Sequence, residues 1–277
     1  MTLSKKKKAA AAALCLSMLL SAAAGTAGAA GTLPDKLKNK SNGILWAETE
    51  QPAKPAAPSP LDALLAQANT VPLKAGEMRV VYVNDAKINT LDSLNISYVP
   101  FSYTSVSAAA QKLSSMGGGA LMAPASLPKD YVLKEAIISP DIPFSYEDGY
   151  VQLREKLKQQ STAAGTKVIT KMLPWSGHVT TLTYTRKGEV LSLRAEPASE
   201  LPAGVTLASL PGDKDQQVQV NGQEMMFTSF GPHHDKLKSQ LQWRSPDGSR
   251  EYTLTDTRNT VQSKAELLAM AGSLTAQ

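Results

Sequence analysis

"WRSPDGSREYTLTDTRNTVQSKAELLAMAGSL", Trp243 to Leu274, contains the return of a hairpin and the helix that follows it. The stretch just before, "LKSQLQW", sets Leu237, Leu241 and Trp243 on one face of a strand. "SPDGS" (Ser245 to Ser249) reverses the chain: proline fixes φ early, and Asp-Gly tolerates the turn. "REYTLT" returns with Tyr252 and Leu254 on one face. Ser263, with Glu266 three residues later, spells a capping box. Leu267, Met270, Ala271 and Leu274 then recur at helical spacing and form an apolar stripe. A helix that follows a hairpin series buries such a stripe on the sheet beside it. Each large side chain buried this way contributes roughly 1.5–3 kcal/mol.

Working outward, the same alternation repeats. "QVQV" and "QEMMF" meet at Asn221-Gly222, two residues that accept positive φ, so a tight hairpin is predicted with Val218 opposite Met225. Val218, Val220, Met225 and Phe227 fall on the inward side, and Gln217, Gln219 and Glu224 on the other. "HVTTLTYT" and "EVLSLRA" are strands joined by "RKG", with His178, Thr180, Leu182 and Tyr184 on one face of the first and Leu191 and Leu193 on one face of the second. "EMRVVYVN" and "YVLKEAIIS" add strands. "PLDALLAQA", "VSAAAQKLSSM" and "YVQLREKLKQQ" add helices. Hairpins without regular strand–helix alternation argue for an α+β fold: a curved antiparallel sheet, half-barrel-like, with helices packed on one face.

The N-terminus reads differently. "MTLSKKKK" is a basic n-region, Ala9 to Ala24 an apolar h-region, and Ala27 to Ala29 a small-residue cleavage site. Residues 1–29 are therefore expected to be a secretory signal peptide, with an uncleaved membrane anchor as the alternative. Residues 30–60 are polar and carry prolines from Pro34 to Pro60, the composition of a flexible linker. A single α+β domain is expected over 61–277. The chain has 29 basic and 24 acidic residues, and setting aside Lys5 to Lys8 leaves the rest close to neutral. Nothing in that balance calls for nucleic acid. Cys15, the one cysteine, lies in the h-region with Leu14 before it, so neither lipidation nor a disulfide is expected. The expected location is secreted or extracytoplasmic.

Local clusters point away from catalysis. "GPHHD" (Gly231 to Asp235) has ligand chemistry, but one metal needs three or four converging groups, and the remaining histidine, His178, is far upstream. Gly117 to Gly119 lack the Lys-Ser/Thr ending of a phosphate loop. No G-x-S-x-G nucleophile motif and no S-x-x-K of penicillin-binding type is found. No catalytic residue, metal ligand or cofactor is assigned. Candidates for lining an apolar ligand cleft are Met225 and Phe227 of "EMMF", Trp175 of "KMLPWSG", and Trp243 and Tyr252 of the hairpin. Methionine adapts to varied ligand shapes, and tryptophan suits a rim.

Taken in order, several short motifs resemble one family. "APASLPKDYVLKEAIIS", "VQVNGQEMMF", "LQWRSPDGSREYTLT" and "SKAELLAMAGSL" are similar to successive motifs of domain of unknown function 4367, over about Ser105 to Leu274. The segment from Pro140 to Gly177 is longer than that pattern carries, and Lys129-Asp130 and Met270 depart from it. The resemblance implies an exported or membrane-tethered bacterial protein with a half-barrel like that of lipoprotein carriers and envelope-stress sensors. It supplies no catalytic residues. Three functional readings follow: a non-enzymatic binding or sensory domain of the cell envelope that takes an apolar ligand or peptide, a cell-surface interaction module with an envelope protein as partner, and a wall hydrolase.

Overall fold

The computed structural model describes residues 59–175, 177–198, 212–232, 234, 237–258 and 260–276. The expected signal peptide and all but the end of the expected linker lie outside these residues, as do His233 and Asp235. The described chain begins with helix α1 (Pro60–Ala68) and strands β1 (Met78–Val83), β2 (Leu94–Tyr98) and β3 (Phe101–Tyr103). Next come α2 (Val106–Ser115), β4 (Met122–Pro124), β5 (Val132–Ser139) and α3 (Asp148–Ala164). Strands β6 (Val168–Leu173), β7 (Val179–Arg186) and β8 (Glu189–Pro197) lead to β9 (Lys214–Val220) and β10 (Gln223–Ser229). The chain closes with β11 (Ser239–Arg244), β12 (Arg250–Asp256), α4 (Val261–Gly272) and β13 (Leu274–Ala276). The expected α+β class with antiparallel sheets is what forms.

Where the sequence reading drew one domain over 61–277, the chain gathers into two compact units, each assembled from two separate stretches. The smaller comprises the described residues of Leu20–Val99 and Ile142–Ser176. Its sheet is three-stranded in the order β2-β1-β6. Val80 and Tyr82 of β1 pack with Leu157 of α3 in one small core. Arg79, on the opposite side of β1, donates to Ala68 O and Asn69 Oδ1 at the end of α1, and to Val71 O. The long segment after Pro140 thus supplies α3 and β6 to this unit. No linker composition marks the chain's exit at Val99 or its re-entry at Ile142, so inspection of composition finds no boundary there.

The larger unit comprises the described residues of Pro100–Asp141 and Gly177–Gln277. Its eight-stranded sheet has the order β3-β5-β7-β8-β12-β11-β10-β9 and is not closed into a barrel. Leu182 faces Leu193, Leu193 faces Leu254, and Leu254 faces Leu241, so one row of leucines crosses four strands. Helix α2 packs at β3 and β5, and α4 at β11, β12 and β9. Both bury their stripes in the cluster that holds those leucines, with Leu113, Leu267 and Met270 inside it. Trp243 and Tyr252 turn inward and stack, with centroids 5.3 Å apart. Asn221 and Gly222 take φ of 49° and 79°, and Val218 pairs with Met225 as the turn type requires.

One local expectation is corrected. Helix α4 is capped by Thr260, whose side chain accepts from Ser263 N, while the Ser263 side chain accepts from Thr260 N. Ser263 is thus the third residue of the helix rather than its cap. Glu266 is released from capping and accepts instead from Arg258, at 2.5 Å. Arg258 is also fixed by Asp256, at 2.9 Å, which ties the start of the helix to the end of β12.

Candidate functional site

The two faces of the large sheet are built from alternating residues of the same strands. The inner face carries the leucine row. On the outer face the register lines up Ser192, Thr255, Gln240 and Thr228 in one row. It lines up Arg194, Thr253, Gln242 and Met226 in the next. A third row runs Glu196, Glu251, Arg244. This face is polar, yet Thr253, Gln240, Gln242, Glu196 and Glu251 are all buried.

The third row sets two carboxylates directly opposite each other. Glu196 on β8 pairs in register with Glu251 on β12. They are 8% and 2% exposed. Residues directly opposed across an antiparallel ladder stand roughly 4.5–5.5 Å apart at Cβ, and like charges there are destabilising. Each carboxylate is held by an arginine on one oxygen. Arg194 donates through Nε and Nη2 to Glu196 Oε2, at 3.1 and 2.8 Å. Arg244 Nε donates to Glu251 Oε1 at 2.7 Å, with Nη2 2.5 Å from the same oxygen. Among the described residues Glu196 Oε1 and Gln242 Nε2 are buried without a hydrogen-bond partner.

Burial dominates the electrostatics here. It lifts Glu251 from its ordinary value near 4.5 to about 7; Arg244 opposes that rise and Glu196 adds to it. Asp141 belongs to the same neighbourhood. Burial, then the Glu196 charge, raises its carboxyl, while Arg194 and Arg250 hold it down. A Cβ placed on Gly177 would stand 2.4 Å from Asp141 Cβ, and Gly177 has φ of +59°, so only glycine fits beside that carboxylate. Arg250 Nη2 donates to His178 O at 2.8 Å at this end of the sheet.

The apolar-cleft candidates are placed as follows. Met225, Phe227, Trp243 and Tyr252 share the inner face and one core cluster, each between 5% and 8% exposed. Trp175 lies in the smaller unit, partly buried. The two described histidines do not share a site. His178 meets Arg250 at the first residue of β12. His234 O accepts from Lys238, whose backbone N donates to Asp256 O at the last residue of β12. Six residue steps along the strand separate those ends, about 20 Å. Among the described residues no group of His, Cys, Asp and Glu is arranged to hold a metal ion, and no helix is long and apolar enough to cross a membrane.

Sequence reasoning passed over the acidic pair. Half of it was accessible: the hairpin that sets Trp243 opposite Tyr252 also sets Arg244 opposite Glu251. The other half needs the β8–β12 pairing, which joins residues over 50 positions apart and has no local signal. Comparison of the chain with protein-family profiles, with curated proteins and with solved structures finds no match in any of the three.

Proposed function

We propose that the chain is an exported, non-enzymatic sensory or binding domain of the bacterial cell envelope, with Glu196 and Glu251 as its responsive element. The leader-like N-terminus supports export, and the ordered motifs from Ser105 to Leu274 support kinship with domain of unknown function 4367. The missing G-x-S-x-G motif and the separated histidines favour binding over hydrolysis.

One observation carries this reading: two buried carboxylates face each other on a sheet that gains no stability from the opposition. A sheet shaped for stability alone would place a threonine or a lysine at one of the two positions. Burial, with a smaller addition from the Glu196 charge, lifts the Glu251 carboxyl to about 7, so Glu251 exchanges a proton in the neutral range, where the surroundings of an envelope protein vary. An apolar ligand among Met225, Phe227, Trp243 and Tyr252 fits less well, because those side chains already fill the core beneath α4. An envelope protein remains the expected partner for any signal passed on.

Carbon-13 NMR of the glutamate carboxyls, titrated from pH 4 to pH 9, tests the reading. Glu251 is expected to titrate with a midpoint near 7, as the buried opposed pair requires. Replacing Glu196 with Gln is expected to lower that midpoint. Titration of Glu251 in the ordinary carboxylate range would remove the responsive element.

A further inference from the structure

The three-stranded sheet of the smaller unit has the order β2-β1-β6, so β6 has a ladder partner on one side only among the described residues. Val168 to Leu173 pair with β1 in unbroken register. One step beyond that ladder, Asn84 N donates to Lys167 O at 2.8 Å, which sets its phase. Hydrogen-bonded pairs alternate along an antiparallel ladder, so Ile169, Lys171 and Leu173 direct their backbone groups toward β1. Val168, Thr170 and Met172 direct theirs away from the sheet, and no group among the described residues meets them there. Thr170, Lys171 and Met172 are exposed. Met172 is 51% exposed, whereas Ile169 and Leu173 pack into the small core with Val80 and Tyr82. Sheet edges are normally blunted by bulges, prolines or several charges. This strand holds no proline, no glycine and no bulge, and one charge, Lys171. Val168, Ile169 and Thr170 are branched at Cβ and suit a paired strand.

We infer that this edge pairs with β6 of a second copy of the chain, antiparallel, about a two-fold axis at Thr170. The backbone sets the register. With the axis at Thr170, Thr170 meets its own copy and Val168 meets Met172, so all three outward residues find partners. Each of those pairs exchanges two backbone hydrogen bonds. A shift of two residues toward the C-terminus sets Val168 against Pro174, which has no N–H to give. A shift the other way leaves Met172 beyond the end of the partner strand. The side chains agree with the backbone. On one face a threonine meets a threonine, and the Met172 side chain, open to solvent in one copy, is covered by Val168 of the other. On the opposite face Lys171 meets Ile169, so its stem lies along apolar surface while its ammonium reaches water. No charge directly opposes its own kind. An extended segment of a different protein would use the same backbone edge, but the match of this strand to itself favours a second copy.

Sedimentation of the full chain and paired cysteine variants test this. The wild type is expected to sediment as a dimer at micromolar concentration. Thr170→Pro is expected to be a folded monomer, with circular dichroism like that of the wild type. The N–H it removes points away from β1, so the ladder within one copy keeps its bonds while the ladder between copies loses its centre. In a Cys15→Ser background, Thr170→Cys is expected to form an interchain disulfide under mild oxidation, because its partner lies within bridging distance. Met172→Cys, more than half exposed on the same strand, is expected not to, because in this register it faces Val168 and stands about 14 Å from its own copy. A monomeric wild type, a folded Thr170→Pro that still dimerises, or cross-linking at position 172 equal to that at 170 overturns the inference. Neither position touches Glu196 or Glu251, so this result and the carboxyl titration succeed or fail independently.

Discussion

The two faces of the eight-stranded sheet share the same strands, yet they follow opposite rules. On the inner face β7, β8, β12 and β11 each contribute a leucine, and the register places like beside like. On the outer face the same register places hydroxyls, amides and charges beside one another, ending in Glu196 against Glu251. Apolar matching of this kind stabilises, whereas opposed carboxylates do not. Its central polar residues, Thr253, Gln240, Gln242, Glu196 and Glu251, are nonetheless buried and gain little from water. The difference teaches that the inner face determines whether the unit folds, while the outer face carries groups whose state depends on conditions.

The largest expected effect separates the faces directly. Leu254 is fully buried at the centre of the leucine row, beneath α4. Replacing it with Ala removes apolar contacts on both neighbouring strands and leaves a cavity, at a cost of about 2–5 kcal/mol. Thr255, its neighbour on the outer face, is expected to lose no more than about 1 kcal/mol on replacement by Ala, since its hydroxyl makes one long hydrogen bond, of 3.5 Å, to Ser192 O. Urea denaturation of both variants measures the gap. Equal losses would mean that the faces contribute alike.

What the sequence disclosed follows the same division. The inner face announces itself through alternation, which places Trp243, Tyr252, Val218 and Met225 on the side where they lie. Local chemistry also fixed the Asn221-Gly222 turn and the existence of α4. The pattern misplaces the capping residue by one turn because Ser263 has Glu266 three residues on, whereas Thr260 closes its box with a serine, and only the backbone shows which of them leaves the helix. Strand β6, "VITKML", escaped notice: it is short, follows α3 closely and acquires its role only by pairing with β1 across some ninety residues. The acidic pair was hidden for a similar reason. Alternation marks Glu196 and Glu251 as outward, but outward normally means solvated, and no local pattern reveals a buried polar face.

A second prediction, smaller in size, turns on pH. The folded state holds Glu251 near pH 7, above its ordinary value near 4.5, so the fold favours the protonated form. Its contribution is therefore complete at acid pH and is lost as pH rises from about 4.5 through about 7, to at most roughly 3 kcal/mol. Glu251→Gln is expected to flatten the stability profile across that window. Glu196 and Arg194 from β8, Arg244 from β11, and nearby Asp141 and Arg250 remain in the variant as a constant background. Asp141, also raised by burial, keeps a slope of the same sign. His178, lowered by burial and then by Arg250, gives the opposite slope as pH falls through its own range. Melting temperatures of wild type and variant between pH 5 and pH 8 provide the measurement. An unchanged slope would show that the pair does not couple to folding.

The smallest effect is the most discriminating. Leu241 and Gln242 are adjacent on β11, and both are almost fully buried, on opposite faces. Gln242 Nε2 has no hydrogen-bond partner among the described residues, so the fold already bears the cost of removing that donor from water. Met has nearly the same length and volume and needs no partner. Gln242→Met is therefore expected to change stability by less than about 1 kcal/mol, in either direction, while Leu241→Ala costs about 2–5 kcal/mol. Chemical denaturation of the two variants under identical conditions decides the matter. A near-neutral Gln242→Met would mean that this amide is kept for something other than holding the sheet together. A loss above about 2 kcal/mol would show instead that it belongs to a satisfied structural network, and that the outer face stabilises the unit as the inner one does.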